Sequence, residues 1–160
     1  MKPRFSDRYH GLKCRVCLVM ENPSVKQLEV TGEKDIYNLV RDELVSSDRE
    51  ILLSVLLNGM NKVIGVENVA MGGLNSCSFL PKDILKSAIL ANASGIVVCH
   101  NHPSGTLTPS PQDLEMTDKL VKAGEIVGIM VLDHLIVSHE GFRSIMNESK
   151  SKRKEKDYAI

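Results

Sequence analysis

The period of the apolar positions changes several times along the chain, and each change marks an element. In KDIYNLVRDELV, Lys34 to Val45, apolar residues fall at Ile36, Leu39, Val40 and Leu44. Spacings of three and four predict a helix with one buried face. EILLSVLLN, opened by Glu50, is a continuous apolar run of strand length. Asn58-Gly59 is a turn signal, and Val63 to Ala70 reads as the second arm of a hairpin with a three- to four-residue loop. Gly72-Gly73 ends that arm. PKDILKSAILAN, Pro81 to Asn92, predicts a helix with proline near its first turn, where the missing N–H costs nothing.

GIVVC, Gly95 to Cys99, predicts a short buried strand that runs straight into His100. Asn101 to Pro109 is a loop rich in Pro, Ser and Gly. A helix is expected over Ser110 to Ala123, a strand over Ile126 to Val137, and a short edge piece over Gly141 to Met146. Upstream, Gly11 to Met20 reads as a strand and Glu21 to Gly32 as a polar connector. The final NESKSKRKEKDYAI is charged and non-periodic, which predicts a solvated tail. Strands and helices alternate through the middle, so the fold class is α/β, a mixed sheet flanked by helices. The organisation expected is an N-terminal extension over 1–41, a domain over 42–146 and a tail over 147–160.

Composition narrows the function classes. The chain has 160 residues, 42% hydrophobic and 25% charged, the profile of an ordinary globular domain. Twenty Lys and Arg balance twenty Asp and Glu, so electrostatics gives nucleic-acid binding no support. A tail contact through SKSKRKEK is expected to be weak. No signal peptide and no apolar run of membrane-spanning length is visible, so a cytoplasmic location with no membrane partner is expected. There the four cysteines stay reduced. Cys14 and Cys17 form a CxxC but lie in an alternating segment that points them to opposite faces. Cys77 is isolated, and Cys99 reads as a small core residue. His10 and His139 stand alone and read as surface residues.

The segment that carries chemistry is CHNHPSGTLTPSPQD. His100 and His102 are two apart at the end of a strand, and i and i+2 face the same way in extended chain. Two imidazoles are thereby presented to one point, which suits zinc. Pro103-Ser104-Gly105 turns the chain, and Asp113 arrives in the first turn of the next helix. Two histidines and a carboxylate leave a fourth tetrahedral position for water, the pattern of a catalytic zinc. SPQD is also a capping-box pattern, with Ser110 as N-cap.

His100-x-His102, seven residues, Ser110, two residues, Asp113 resembles the JAMM (MPN+) zinc metalloprotease signature without departure. HNHPSGTLTPSPQD and the later LDHLIVS resemble the RadC-like branch of that family. The resemblance runs from about Asp42 to Ile145. It implies a JAB/MPN, cytidine-deaminase-like fold, one zinc held by His100, His102 and Asp113, and hydrolysis of peptide or isopeptide bonds. It further implies that Ser110 helps stabilise a tetrahedral intermediate and that an upstream glutamate acts as general acid/base. Glu50 is the matching position, with Glu67 on the hairpin's second arm as the alternative. Asp133-His134 matches the family's DH pair and is expected either to orient a ligand or to be a hydrogen-bonded core pair.

Two other readings stay open on the sequence: a metal-binding interaction module without hydrolysis, and a DNA repair or recombination accessory. Longer RadC-like proteins look like an N-terminal helical module followed by this domain. Here about forty residues precede Asp42 and read as strand, connector and helix, which removes the support such a module would give a DNA role. The letters His100-Asn101-His102 spell the name of a nuclease class, but that class disperses those residues over a ββα unit.

Overall fold

The computed structural model describes residues 28–71 and 80–147. The strand expected over Gly11 to Met20, the Gly72-Gly73 stop, His10, Cys14, Cys17, Cys77 and the charged tail after Asn147 lie outside the described residues.

Within the described residues, helix α1 spans Glu33–Val45, strand β1 Ile51–Leu57, strand β2 Val63–Met71 and helix α2 Pro81–Leu90. Strand β3 spans Gly95–Asn101, helix α3 Pro111–Val127, strand β4 Met130–Ser138 and strand β5 Gly141–Ser144. The strands form one five-stranded sheet in the order β2-β1-β3-β4-β5. Only the β3–β4 pair is parallel. A parallel pair needs a crossover connection, and α3 supplies it. This is the mixed α/β sheet flanked by helices that the sequence predicts.

Side-chain alternation divides the interior into two layers. Ile51, Leu53, Val55 and Leu57 of β1 join Val97, Cys99, Leu135 and Val137 under Ile36, Val40 and Leu44 of α1. The other parity, Leu52, Leu56, Ile96 and Val98, packs against Ile84, Leu85 and Ala88 of α2 and Leu120 of α3. β1 is buried at every position because both its faces are covered. That explains why it reads as an unbroken apolar run rather than an alternating one.

The hairpin closes as expected. Asn58 N–H bonds Lys62 C=O at 3.0 Å, and Asn61 takes a positive φ of 54°. That is the type of short loop in which a left-handed residue completes the turn. α1 begins where Asp35 accepts hydrogens from the backbone of Thr31 and Gly32.

The α3–β4 boundary differs from the sequence expectation. Ile126 and Val127 belong to the last turn of the helix, not to a strand, and Ile126 is 85% exposed. Gly128, at φ 76°, ends the helix as a left-handed cap. The helix is packed closely before that point: a Cβ on Gly124 would sit 2.5 Å from Ile129 O. Strand β3 also runs two residues further than expected, through His100 to Asn101. Among the described residues no helix is long and apolar enough to cross a membrane.

Candidate metal centre

The alternation that builds the α2/α3 layer also places the histidines. Ile96, Val98 and His100 share one face of β3, so His100 continues an apolar row and is 1% exposed. His102 follows just past the strand end and reaches partway to solvent. The loop then turns with Gly105 N–H bonded to His102 C=O at 2.8 Å and Gly105 at φ 75°. α3 starts at the Ser110 N-cap with Pro111 in its first turn.

The buried stripe of α3 is Asp113, Thr117, Leu120 and Gly124. Its spacing of four, three and four keeps these residues on one face. Chemistry is graded along that stripe: charged and polar at the N-terminal end, beside the histidines, and apolar or bare towards the other. The helix N-terminus itself favours the Asp113 carboxylate.

His100 Nε2 lies 3.0 Å from His102 Nε2 and 3.3 Å from Asp113 Oδ1, and His102 Nε2 lies 3.4 Å from Asp113 Oδ2. A tetrahedral zinc with ligands at about 2.0–2.1 Å holds neighbouring donor atoms about 3.3 Å apart. The two ring nitrogens, and each ring nitrogen with one of the two Asp113 oxygens, are spaced about as neighbouring donors of such an ion are, so the residues fit a metal ion. The group His100, His102 and Asp113 could hold one.

The surrounding bonds aim each donor. His102 Nδ1 lies 2.9 Å from Thr106 O. A carbonyl only accepts, so Nδ1 carries the hydrogen and the Nε2 lone pair of the neutral ring faces the centre. Asp113 Oδ2 accepts from Ser110 N–H and Ser110 Oγ, both at 2.7 Å, while Ser110 Oγ accepts Asp113 N–H at 3.2 Å. The capping box is thus formed, and it grips the same carboxylate that faces the histidines.

Electrostatics follows from these contacts. Burial works against the charge of Asp113, but the neighbouring His100, His102 and Ser110 prevail and hold its carboxyl far below the usual range. The bond to Asp113 raises His102 above the ordinary imidazole value against the opposing effect of burial, and the Thr106 carbonyl and the charge of Glu50 add to the rise.

Glu50 stands immediately before β1. Leu52 pairs with His100 across the β1–β3 ladder, so Glu50, two residues earlier, falls alongside the histidine end of β3. Glu67 pairs with Ser54 on the outer strand β2, further along β1 and one strand removed from β3. Its Oε2 is buried without a hydrogen-bond partner among the described residues.

The Asp133-His134 pair splits between the two layers. His134 Nε2 lies 2.8 Å from His100 Nδ1 on the metal side. Asp133 turns away, accepting from Ser144 Oγ at 2.8 Å, and burial raises its carboxyl above the ordinary value. Cys99 is fully buried in the α1 layer, and burial pushes its thiol up. His139 is exposed. Thr117 and Asn101 are site residues that sequence reasoning missed. Thr117 lies four residues after Asp113, on the same helix face, which is the signal that marks it. Asn101 sits between the two histidines, and the parity that turns them one way turns it the other.

Comparison with known proteins gives the family. The chain is 44% identical over 126 residues to a UPF0758 protein of Desulforudis audaxviator, covering 79% of this chain and 55% of the relative. A UPF0758 protein of Moorella thermoacetica is 43% identical over 116 residues, covering 72% of this chain and 51% of the relative. One of Clostridium beijerinckii is 39% identical over 118 residues, 74% of this chain and 52% of the relative. The chain thus spans about half the length of the curated relatives it matches. The profile of the RadC-like JAB domain matches residues 30–151, which takes in every helix and strand described above, and the chain belongs to that family.

Proposed function

We propose that this chain is a zinc-dependent hydrolase, a metallopeptidase or isopeptidase acting on a protein or peptide. The observation that carries the reading is the approach of the two histidine Nε2 atoms to 3.0 Å, with one Asp113 oxygen 3.3 Å from His100 and the other 3.4 Å from His102. Catalytic zinc sites use three protein ligands and keep a position for water, whereas structural sites are filled by four. Zinc there would supply Lewis acidity, polarising a carbonyl and bringing the pKa of water to about 7.

The chain's own residues do the rest. Glu50 takes a proton from the attacking water and returns it to the leaving amine. Its place beside the histidine end of β3, where its charge already acts on His102, supports that role. Ser110 first positions the ligand, because its hydroxyl hydrogen is committed to Asp113 Oδ2. Donation to a developing oxyanion requires that hydroxyl to rotate off the carboxylate.

The test is a library of peptides and isopeptide-linked substrates offered to zinc-loaded protein. Cleavage is expected, halted by a chelator and absent in Asp113→Ala. If zinc-loaded wild type cleaves nothing, hydrolysis is withdrawn and a metal-binding interaction module takes its place.

A further inference from the structure

Behind the metal-binding triangle runs a chain of hydrogen bonds through three elements. His100 Nδ1 on β3 lies 2.8 Å from His134 Nε2 on β4. His134 Nδ1 lies 2.6 Å from Thr117 Oγ1 on α3. Thr117 Oγ1 lies 2.6 Å from the backbone oxygen of Asp113, one turn earlier on the same helix. His100, His134 and Thr117 are all buried.

With His134 neutral, the three links behind the triangle admit one arrangement of donors and acceptors. Asp113 C=O can only accept, so the Thr117 hydroxyl spends its single hydrogen there. Thr117 Oγ1 must then accept from His134, which places a hydrogen on His134 Nδ1. His134 has no exposed surface, and an imidazole taken fully out of water favours its neutral form. A neutral ring with Nδ1–H has a lone pair on Nε2, so His134 Nε2 accepts from His100 Nδ1–H. The Nε2 of His100 is left as a lone pair, and that atom is the corner of the triangle.

We infer that Thr117 and His134 are positioning residues that hold His100 in the Nδ1–H tautomer, aiming its Nε2 lone pair at the metal site. The inference rests on the metal-centre reading: His100 Nε2 also lies 3.0 Å from His102 Nε2 and 3.3 Å from Asp113 Oδ1, and the buried links behind the ring oppose a hydrogen on that atom. His102 reaches the same state through the Thr106 carbonyl, a rigid acceptor. At His100 the acceptor is a second imidazole, which would become a donor if its proton sat on the other nitrogen. Thr117 prevents that. It ties the orientation of one ligand to the backbone of another, since its own acceptor is Asp113.

Two measurements test this on the full chain. Long-range ¹⁵N–¹H correlation of the imidazoles in chelator-treated protein should show His100 and His134 protonated at Nδ1 and bare at Nε2. In Thr117→Val, which keeps the shape and removes the hydroxyl, that tautomer should no longer dominate at His100. Zn²⁺ titrated against a chromophoric chelator should then bind about 10–100-fold more weakly, the usual cost of losing such a supporting bond. Thr117→Ser should restore both readouts, and a thermal melt confirms that each variant is folded. A His100 protonated at Nε2 in the wild type overturns the inference. So does a Thr117→Val that keeps both the tautomer and wild-type affinity. A wild type that shows the Nδ1–H tautomer yet binds no Zn²⁺ upholds the tautomer lock and sinks the metal-centre reading instead.

Discussion

Asn101 holds the N–H of Ile51 with its side-chain oxygen at 2.8 Å, and its side-chain nitrogen donates to Arg49 C=O at 2.9 Å. The two bonds straddle Glu50. They replace the backbone ladder at the point where β1 begins, and they fix the peptide units on both sides of that glutamate. The residue between the two histidines thereby anchors the segment that carries the proposed base.

Asn101→Ala removes both bonds and leaves a buried N–H unsatisfied. A loss of about 2–4 kcal/mol is expected in urea unfolding. Asn101→Asp keeps an acceptor for Ile51 and should fall between. Zinc content should be unchanged in both, because neither touches a donor atom. An Asn101→Ala variant as stable as wild type would show that the clamp is idle.

Metal should stabilise the fold it binds. Zinc at about a hundred times its dissociation constant adds about 2.7 kcal/mol to a protein that binds it only when folded. Thermal melts with zinc and with a chelator should separate accordingly. In Asp113→Ala or His102→Ala the two melts should coincide, with elemental analysis showing most of the metal gone. Full occupancy in both variants would remove the ligand assignment.

Ser110→Ala should separate capping from chemistry. Loss of the N-cap costs about 1 kcal/mol. The Asp113 carboxylate also loses a bond at Oδ2 but keeps the backbone N–H of residue 110. Zinc should be retained and the chelator-treated melt lowered. An unchanged melt with reduced turnover would assign Ser110 to the reaction rather than to the helix.

How far the site was legible follows from which contacts are local. His100 and His102 depend on strand parity, and Asp113 on a helix start with its own capping pattern, so a short window of sequence suffices. Thr117 is different. In mid-helix a threonine is an ordinary residue, and its role exists only because β4 brings His134 beside α3. Asn101 likewise acts on Arg49 and Ile51, some fifty positions away in the chain. The helix end at Gly128 was locally visible as a glycine, but the β-branched Ile126 and Val127 before it read as strand. Both are exposed, so no buried face holds them in a strand, and the left-handed Gly128 cap sets the boundary.

Acid should act on the chelator-treated protein through His134. Burial, followed by the neighbouring His100, holds the folded His134 well below the ordinary imidazole value, while the unfolded chain titrates near about 6.5. A depressed folded value contributes stability above about pH 6.5 that is lost as pH falls. His102 is raised and acts oppositely, contributing below about pH 6.5 and fading as pH rises through its folded value. The two contributions oppose each other, and it is the buried ring's contribution that is lost between pH 7 and pH 5. The slope from one such proton is at most about 1.4 kcal/mol per pH unit. Asp113 does not contribute in this window, because its unfolded carboxyl titrates near about 3.9. Urea melts of wild type and His134→Gln should show a flatter pH dependence in the variant. An equal or steeper loss in the variant would contradict the assignment.

Glu50→Gln separates catalysis from metal binding. Glutamine keeps the shape of glutamate and still hydrogen-bonds water, but it cannot accept and return a proton near neutral pH. Zinc content and the thermal melt should therefore stay at wild-type values. Hydrolysis of any substrate found in the library should fall by about 10²- to 10⁴-fold, the usual worth of general acid–base catalysis. Glu67→Gln is the matched control, because Glu67 lies on the outer strand opposite Ser54. Its Oε2 is buried without a partner among the described residues, so exchange for a neutral amide should leave turnover intact and change stability only. The pH profile gives a second readout: the acidic limb of turnover that reports the base should vanish in Glu50→Gln and persist in Glu67→Gln. Full turnover by Glu50→Gln, with loss in Glu67→Gln, would transfer the role to the other carboxylate and require β2 rather than the start of β1 to face the substrate.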